Sequence, residues 1–368
     1  MADRYAVITG GGTGGHVVPA IAIGRALVAR GHPPESLHFV GSKRGMETRL
    51  VPEAGFTLTA LPGRGIQRRL TAENIPAAAG MAQAAAQAFG VLRKDRPRVV
   101  VSVGGYASLP CALAAITLRI PLVLHEQNAA PGAANRTVAR FARACAVSYA
   151  GTPLPRSHVT GNPVRPEVLA VDRAAGRDEA RAALGLPLDR CVIGVFGGSL
   201  GSLRINEAVL GALPAWSDRG DLAIHHVVGE RDWDLISERT PPLGRLHYQA
   251  VRYEDRMPLL YAAADLLVCR AGGNTVAELA DVGAPAVLVP LPGAPADHQT
   301  ANARVMAEAG AAVLVADADL TGDRLRSEVD ALIDDASALQ AMAKAAGGLG
   351  RRDAADRIAA LAEEHARD

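Results

Sequence analysis

The stretch Ala6-Val7-Ile8-Thr9-Gly10-Gly11-Gly12-Thr13-Gly14-Gly15-His16 decides how the rest of the chain is read. A short apolar run ends in a glycine-rich turn. Residues 17–30 then place Ala20, Ile21, Gly24, Leu27 and Val28 at helical spacing, with Gly31 as the stop. Glycines between a strand and a helix let a ligand approach the backbone and leave N–H groups pointing at an anion. The same arrangement returns halfway along, where Val192-Ile193-Gly194-Val195-Phe196 runs into Gly197-Gly198-Ser199-Leu200-Gly201. Two such turns predict two nucleotide-type domains separated by a deep cleft.

Outward from these turns, strand and helix patterns alternate. Strands are predicted at 37–40, 99–103, 122–125 and 144–148, then at 224–228, 266–269 and 286–289. Between the later ones, Ile205, Ala208, Val209 and Ala212 keep helical spacing, as do Ala301, Val305 and Ala309. Continuous Val/Ile/Leu runs alternating with such helices mean parallel sheets covered on both faces. The fold class is α/β, with two Rossmann-like domains. The turn-rich segment Thr160-Gly161-Asn162-Pro163-Val164-Arg165-Pro166 sets their boundary, giving domains 1–163 and 164–344. Residues 345–368 read as one charged helix that packs back on the first domain.

Composition narrows the class. A chain of 368 residues with 49% hydrophobic and 21% charged residues is ordinary for a globular protein and long enough for two cores. Cys111, Cys145, Cys191 and Cys269 have no CxxC spacing, so reduced thiols in a cytoplasmic protein are expected. The N-terminus runs straight into a strand with no signal-peptide pattern. The net charge of +1 hides a split: residues 1–165 carry 19 Lys/Arg against 7 Asp/Glu, net +12, and residues 166–368 carry 20 against 31, net −11. The first half therefore expects an anionic surface or ligand. Nucleic acid is not expected, because aromatic residues are 4% of the chain and no nucleic-acid motif is present.

Arg64, Arg68, Arg69, Arg93, Lys94, Arg96 and Arg98 bracket the uncharged stretch 75–92. Pro76, Gly80, Gln83, Gln87 and Gly90 argue against a membrane span. Two readings remain: an Ala-rich helix packed on its own domain, or a peripheral membrane contact. In the second, Ile66, Leu70, Ile75, Met81 and Phe89 touch lipid and the arginines meet anionic headgroups.

The first turn satisfies the dinucleotide pattern Gly10-x-Gly12-x-x-Gly15. An NAD site also needs an acidic residue closing the second strand. Here residues 39–44 are Phe-Val-Gly-Ser-Lys-Arg, which leans against NAD, while Arg44 leaves NADP open. The second half is richer. Arg270-Ala271-Gly272-Gly273-Asn274-Thr275-Val276-Ala277-Glu278 follows a strand and opens a helix, putting Glu278 in or near its first turn. A carboxylate there accepts two hydrogen bonds from a ribose diol, or merely complements the helix dipole. Gln299, at the next helix start, suits sugar hydroxyls because its amide both donates and accepts.

Taken in order, Gly-Gly-Thr-Gly-Gly-His (11–16), His-Glu-Gln-Asn (125–128), Thr-Gly-Asn-Pro-Val-Arg (160–165), Gly-Gly-Ser-Leu-Gly (197–201), Gly-Gly-x-Thr-Val-x-Glu (272–278) and Asp-x-Gln (297–299) resemble the MurG family of bacterial N-acetylglucosaminyltransferases. The resemblance covers roughly residues 5–310 and implies the GT-B fold. Its implied donor is UDP-N-acetylglucosamine. The implied acceptor is undecaprenyl-diphosphate-MurNAc-pentapeptide (lipid I) on the cytoplasmic face of the inner membrane. A peripheral location at an anionic membrane surface, among cell-wall synthesis proteins, follows from the same resemblance.

Roles for residues follow from it as well. Glu278 would hold the UDP ribose. Ser199 and the N–H groups of Leu200 and Gly201 would meet the diphosphate, with Gly273, Asn274 and Thr275 beside them. Arg165 would contact the nucleotide, Glu254 lies in the uracil-facing stretch, and Asn128 and Gln299 would bind the sugar. Thr13, Gly14 and Gly15 would face the acceptor diphosphate and the sugar. The implied chemistry is displacement at the anomeric carbon with inversion, the attacking group being the C4 hydroxyl of MurNAc. That step needs a base, and His16 is the first candidate by titration range, with Glu126 the runner-up. No cofactor and no metal is expected; Asp317-Ala318-Asp319 matches a metal-binding string but reads as a solvated turn. Thr300 stands where the family often carries a second Gln, and the loop 291–296 is a little longer than usual. Other readings share parts of this pattern: a UDP-N-acetylglucosamine 2-epimerase, a transferase with a different acceptor, an NADP-dependent oxidoreductase, and a non-catalytic sugar-nucleotide sensor.

Overall fold

The computed structural model describes residues 4–62, 74–105, 107–198 and 200–368. They form two compact units, one of residues 1–165 with 351–368 and one of residues 166–350. In the first unit the order is β1 (Ala6–Thr9), α1 (Gly14–Ala29), β2 (Leu37–Ser42), α2 (Glu47–Glu53), β3 (Thr57–Leu61), α3 (Asn74–Asp95), β4 (Val99–Ser102), α4 (Ser108–Thr117), β5 (Leu122–Glu126), α5 (Ala133–Val138), β6 (Ala144–Val147) and β7 (Ser157–Val159). In the second it is α6 (Pro166–Leu169), α7 (Arg177–Leu184), β8 (Cys191–Phe196), α8 (Leu203–Trp216), β9 (Leu222–Val227), α9 (Trp233–Arg239), β10 (His247–Val251), α10 (Met257–Ala263), β11 (Leu266–Cys269), α11 (Gly273–Val282), β12 (Ala286–Leu288), α12 (His298–Glu308), β13 (Ala312–Leu314), α13 (Gly322–Ile333) and α14 (Ala336–Leu349). A last helix, α15 (Ala354–His365), belongs to the first unit.

Both sheets are wholly parallel. The first has strand order β3-β2-β1-β4-β5-β6-β7 and the second β10-β9-β8-β11-β12-β13. Each therefore reverses direction once, between β1 and β4 and between β8 and β11. Loops leaving the carboxyl ends of strands at such a switch point form the usual ligand crevice of an open α/β sheet. The two glycine turns are the loops after β1 and β8. The α/β class with two parallel-sheet domains, expected from the alternating pattern, is what the chain adopts.

The interior strands are apolar on both faces because helices cover both sides. Ile8, Val101 and Val123 pack toward α1 and α15, while Val7, Val100 and Leu124 pack toward α3 and α4. In the second unit Ile193, Val195 and Val268 meet Ile205, Val209 and Leu213 of α8. Residues 345–368 depart from the single helix expected. The helix α14 ends at Leu349, Gly350 is extended (φ −56°, ψ 146°), and α15 starts afresh at Ala354. A Cβ at Gly350 would crowd Asp281 and the Ala280 carbonyl, so α14 stops against α11. The helix α15 then buries Ile358, Ala359 and Ala362 in the first unit's core. Arg30 pairs with Asp356 and Glu363 at 2.8 Å to fix it from outside.

Candidate active site

In the first unit the glycine turn after β1 closes on a side chain. Gly12, at φ +101°, turns its N–H toward Glu47 of α2, whose two carboxylate oxygens lie 3.0 and 3.2 Å away. The same carboxylate accepts the Ser42 N–H at 2.5 Å and is 1% exposed. A Cβ at Gly11, Gly41 or Gly45 would run into it, so the glycines are there to admit Glu47. This revises the sequence expectation that the turn's N–H groups await a ligand anion. It also takes the Gly12 N–H out of the donors that a dinucleotide's pyrophosphate would use.

Thr13 is the N-cap of α1, and His16 lies one turn in, half-buried, its Nδ1 3.3 Å from Thr13 Oγ1. The loop after β4 backs the imidazole: a Cβ on Gly104 or Gly105 would come within 3.3–3.4 Å of the ring. Gly14 and Gly15 form the first turn of α1 beside it.

Glu126 ends β5 and is 1% exposed. Its Oε1 accepts from the N–H and the side-chain amide of Asn128, both at 3.1 Å. Its Oε2 accepts from Gly132 N–H and Asn135 Nδ2, both at 2.9 Å. Four donors thus occupy the two carboxylate oxygens. The geometry gives Glu126 the work of shaping residues 126–135 and orienting Asn128. His125, behind it, is wholly buried, and burial holds its imidazole below the usual range, against an opposing hydrogen bond with Asn162.

In the second unit the turn after β8 is finished by a cation. Gly198 and Gly201 take positive φ (+92° and +79°), and the Gly201 N–H donates to the Gly198 carbonyl at 3.0 Å. The Gly201 donor expected to meet a diphosphate is thus engaged within the turn. Leu200 is 67% exposed, and Ser199 lies outside the described residues. The N-cap of α8 is Ser202, which sequence reading passed over; its hydroxyl accepts from Ile205 N–H at 3.4 Å and from Arg270 at 2.7 Å. Arg270 ends β11's loop side, 9% exposed, donates to the carbonyls of Val289 and Pro290, and pairs with Asp317 at 2.6 Å. Asp317 is therefore an ion-pair partner and no solvated turn, while Asp319 is exposed. Among the described residues no cluster of three or more His, Cys, Asp or Glu could hold a metal ion.

Gly273, Asn274 and Thr275 form the first turn of α11 and are half-buried. Glu278 sits just past the first turn of α11, and its Oε2 accepts the Tyr261 hydroxyl at 2.6 Å. Helix-dipole effects fade beyond the first turn, so the dipole reading of Glu278 loses its basis. Gln299 is also more committed than expected. Its carbonyl oxygen accepts from Ala271 N–H at 3.2 Å and Leu291 N–H at 2.9 Å, so its amide N–H₂ is the half left to act on a ligand. Ala296 and Asp297 before it both take left-handed backbone (φ +54° and +50°), unusual for non-glycine residues. Thr300 donates to Asp297 at 2.7 Å and braces that turn.

Glu254, expected on the uracil side, turns its carboxylate inward. It is 6% exposed and accepts from Arg256 N–H at 2.9 Å and its guanidinium at 3.0 Å. Burial alone would raise its carboxyl, yet the Arg256 contacts prevail and hold it below the usual range. Glu254 thereby shapes the turn at 254–256. Arg165 is half-buried at the end of the first unit.

These strand-end residues coincide with two family descriptions. Residues 6–147 match the Glycosyltransferase family 28 N-terminal domain and residues 192–358 the Glycosyltransferase family 28 C-terminal domain, which makes the chain a family 28 glycosyltransferase of the GT-B class. It is 43% identical over 364 residues to the UDP-N-acetylglucosamine–N-acetylmuramyl-(pentapeptide) pyrophosphoryl-undecaprenol N-acetylglucosamine transferase of Acidothermus cellulolyticus, covering 98% of each chain. It is likewise 43% identical over 358 residues to the enzyme of that name from Nocardioides sp., covering 97% of each. The crystal structure of Acinetobacter baumannii MurG superposes with a TM-score of 0.80 at 29% identity, over 98% of this chain and 99% of that one. The chain belongs to the MurG family.

Proposed function

We propose that the chain transfers N-acetylglucosamine from UDP-N-acetylglucosamine to the C4 hydroxyl of MurNAc in undecaprenyl-diphosphate-MurNAc-pentapeptide, with inversion at the anomeric carbon. The observation that carries this reading is the nucleotide-sugar half built at the β8/β11 switch point, in a chain of the MurG family. There a buried Glu278, oriented by Tyr261, offers its carboxylate to a ribose diol. Arg270 and the α8 N-terminus supply positive potential for the diphosphate that leaves. The amide N–H₂ of Gln299 donates to a sugar hydroxyl, as Asn128, held by Glu126, does from the first unit.

In the step itself, the MurNAc C4 oxygen forms a bond to the anomeric carbon as the bond to the UDP oxygen breaks. UDP departs with the electron pair, and the hydroxyl proton passes to His16. Thr13 and the Gly104–Gly105 loop hold the imidazole for that transfer. Thr13, Gly14 and Gly15 face the acceptor diphosphate. Arg165 contacts the nucleotide.

A peripheral place on the cytoplasmic face of the inner membrane belongs to the same reading. Among the described residues no helix is long and apolar enough to cross a membrane. The first unit exposes Phe141 at 49%, with the Arg140 guanidinium 4.6 Å from its ring centroid. Arg119, Arg143 and Arg156 line the adjoining hollow of about 620 Å³. An aromatic among arginines suits an anionic lipid surface. Of the lipid contacts expected, Ile66 and Leu70 lie outside the described residues, and Phe89 instead packs, partly buried, against the first unit's core beside Ala84, Ala88 and Leu92. Incubation with both substrates tests the function: the product carries a β-configured N-acetylglucosamine on MurNAc O4 by NMR. A retained configuration, or no disaccharide, overturns it.

A further inference from the structure

We propose that Glu47 is a positioning residue of the reaction, the chain's own anion seated in the first glycine turn to hold Thr13 and His16 in working register. The inference rests on the reading above that the first unit receives the acceptor.

Four observations converge on it. The carboxylate is 1% exposed and, among the described residues, its partners are the backbone N–H groups of Gly12 and Ser42. Three glycines, Gly11 in the turn, Gly41 in β2 and Gly45 in the loop after it, leave the space it fills. The turn it grips is one residue from Thr13, whose carbonyl accepts the His16 N–H at 3.1 Å and whose hydroxyl lies 3.3 Å from the ring. The Gly11 carbonyl abuts Gly105, and Gly105 in turn backs the imidazole. Glu47 thus clamps β2's end to the turn, and the turn to the base.

A buried carboxylate given only backbone donors is costly unless those donors are fixed, so it selects one conformation of a turn that glycine otherwise leaves free. The consequence for recognition is specific. The Gly12 N–H is taken, so the acceptor diphosphate is met further along, at Thr13 to Gly15. The second turn has no counterpart carboxylate among its described partners. Loss of Glu47 should therefore injure the acceptor side of the reaction and leave the donor side alone.

The test uses the full chain with UDP-N-acetylglucosamine and a short-chain acceptor analogue, comparing wild type, Glu47→Gln and Glu47→Ala. Glu47→Ala should lower kcat/KM for the acceptor about 100-fold, the scale expected when a catalytic group is displaced by about 1 Å. Donor KM should stay unchanged, and added formate, which can accept the same two N–H bonds, should restore part of the loss. Equal rises in both KM values, or acceptor kinetics like wild type, would overturn the proposal. Should Glu47→Ala not fold, amide exchange on the wild-type chain decides: a protected Gly12 N–H that becomes labile in Glu47→Gln supports the clamp, and a labile one in wild type overturns it. A wild type lacking acceptor-dependent UDP release would instead count against the functional reading, while the exchange result would still stand for the clamp.

Discussion

After β1 the glycine turn closes on a carboxylate, Glu47; after β8 it closes beside a guanidinium, Arg270. The two turns occupy the same switch point of two similar sheets. One is filled by the chain's own anion, so its shape is set in advance, and in the mechanism proposed above it aims His16. The other is edged by a buried cation and a helix N-terminus, so it is ready for an anion brought by a ligand. A glycine-rich motif therefore states where the backbone bends, and the side chain that reaches it from elsewhere decides what the bend is for.

His16→Ala breaks the comparison hardest. Removing the proposed base on the first side should lower kcat by about 10²- to 10⁴-fold while donor affinity, measured by calorimetry, stays as it was. On the second side, Arg270→Met leaves Asp317 only its longer contact with Arg204, at 3.8 Å. Urea unfolding followed by tryptophan emission should show a loss of about 3 kcal/mol, because both Trp216 and Trp233 lie in that unit. Glu278→Ala should raise donor KM about 10- to 100-fold by removing the acceptor of two ribose hydrogen bonds, with acceptor KM unmoved. An unchanged donor affinity would sink the ribose assignment.

Acid sharpens the contrast from another direction. His226 is wholly buried in β9, and burial, aided by neighbouring His225, holds it down to about 3. An unfolded histidine titrates near 6.5, so between these values the unfolded chain binds the extra proton. Stability from His226 is complete above about pH 6.5 and is lost as pH falls, at about 1.4 kcal/mol per pH unit. His225, lowered by burial, and Glu254, whose Arg256 contacts outweigh its burial, act in the same direction. The tryptophan-monitored transition should follow that slope. The smallest effect is Ala296→Gly, which relieves a left-handed alanine and should stabilise the second unit by about 0.5 kcal/mol without altering turnover.

Much of the fold was legible. Every interior strand of both sheets was expected, most of them as continuous apolar runs because helices cover both faces, although β2 carries His38 and β9 carries His225 and His226. The four strands that sequence reading passed over, β3, β7, β10 and β13, are the four sheet edges. They are short or half-exposed: β7 is exposed throughout and β10 reads His-Tyr-Gln-Ala-Val. The placement of the candidate residues was legible where one local motif holds them, as with Thr13 to His16 at the start of α1 and residues 272–278 at the start of α11. It was hidden where a side chain arrives from another element. Glu47 lies 35 residues beyond the N–H it accepts, and no spacing announces that. Arg270 and Asp317 meet across the second unit for the same reason. Glu126 and Glu254 carried the right charge in the right loops, but only hydrogen-bond counting shows that their oxygens are already occupied.

The most direct measurement is UDP release from UDP-N-acetylglucosamine, with and without a short-chain lipid I analogue, in EDTA. The account predicts release that depends wholly on the acceptor and is unaffected by the chelator. Release without acceptor, as an epimerase-like breakdown of the donor would give, or donor binding with no release at all, would contradict it.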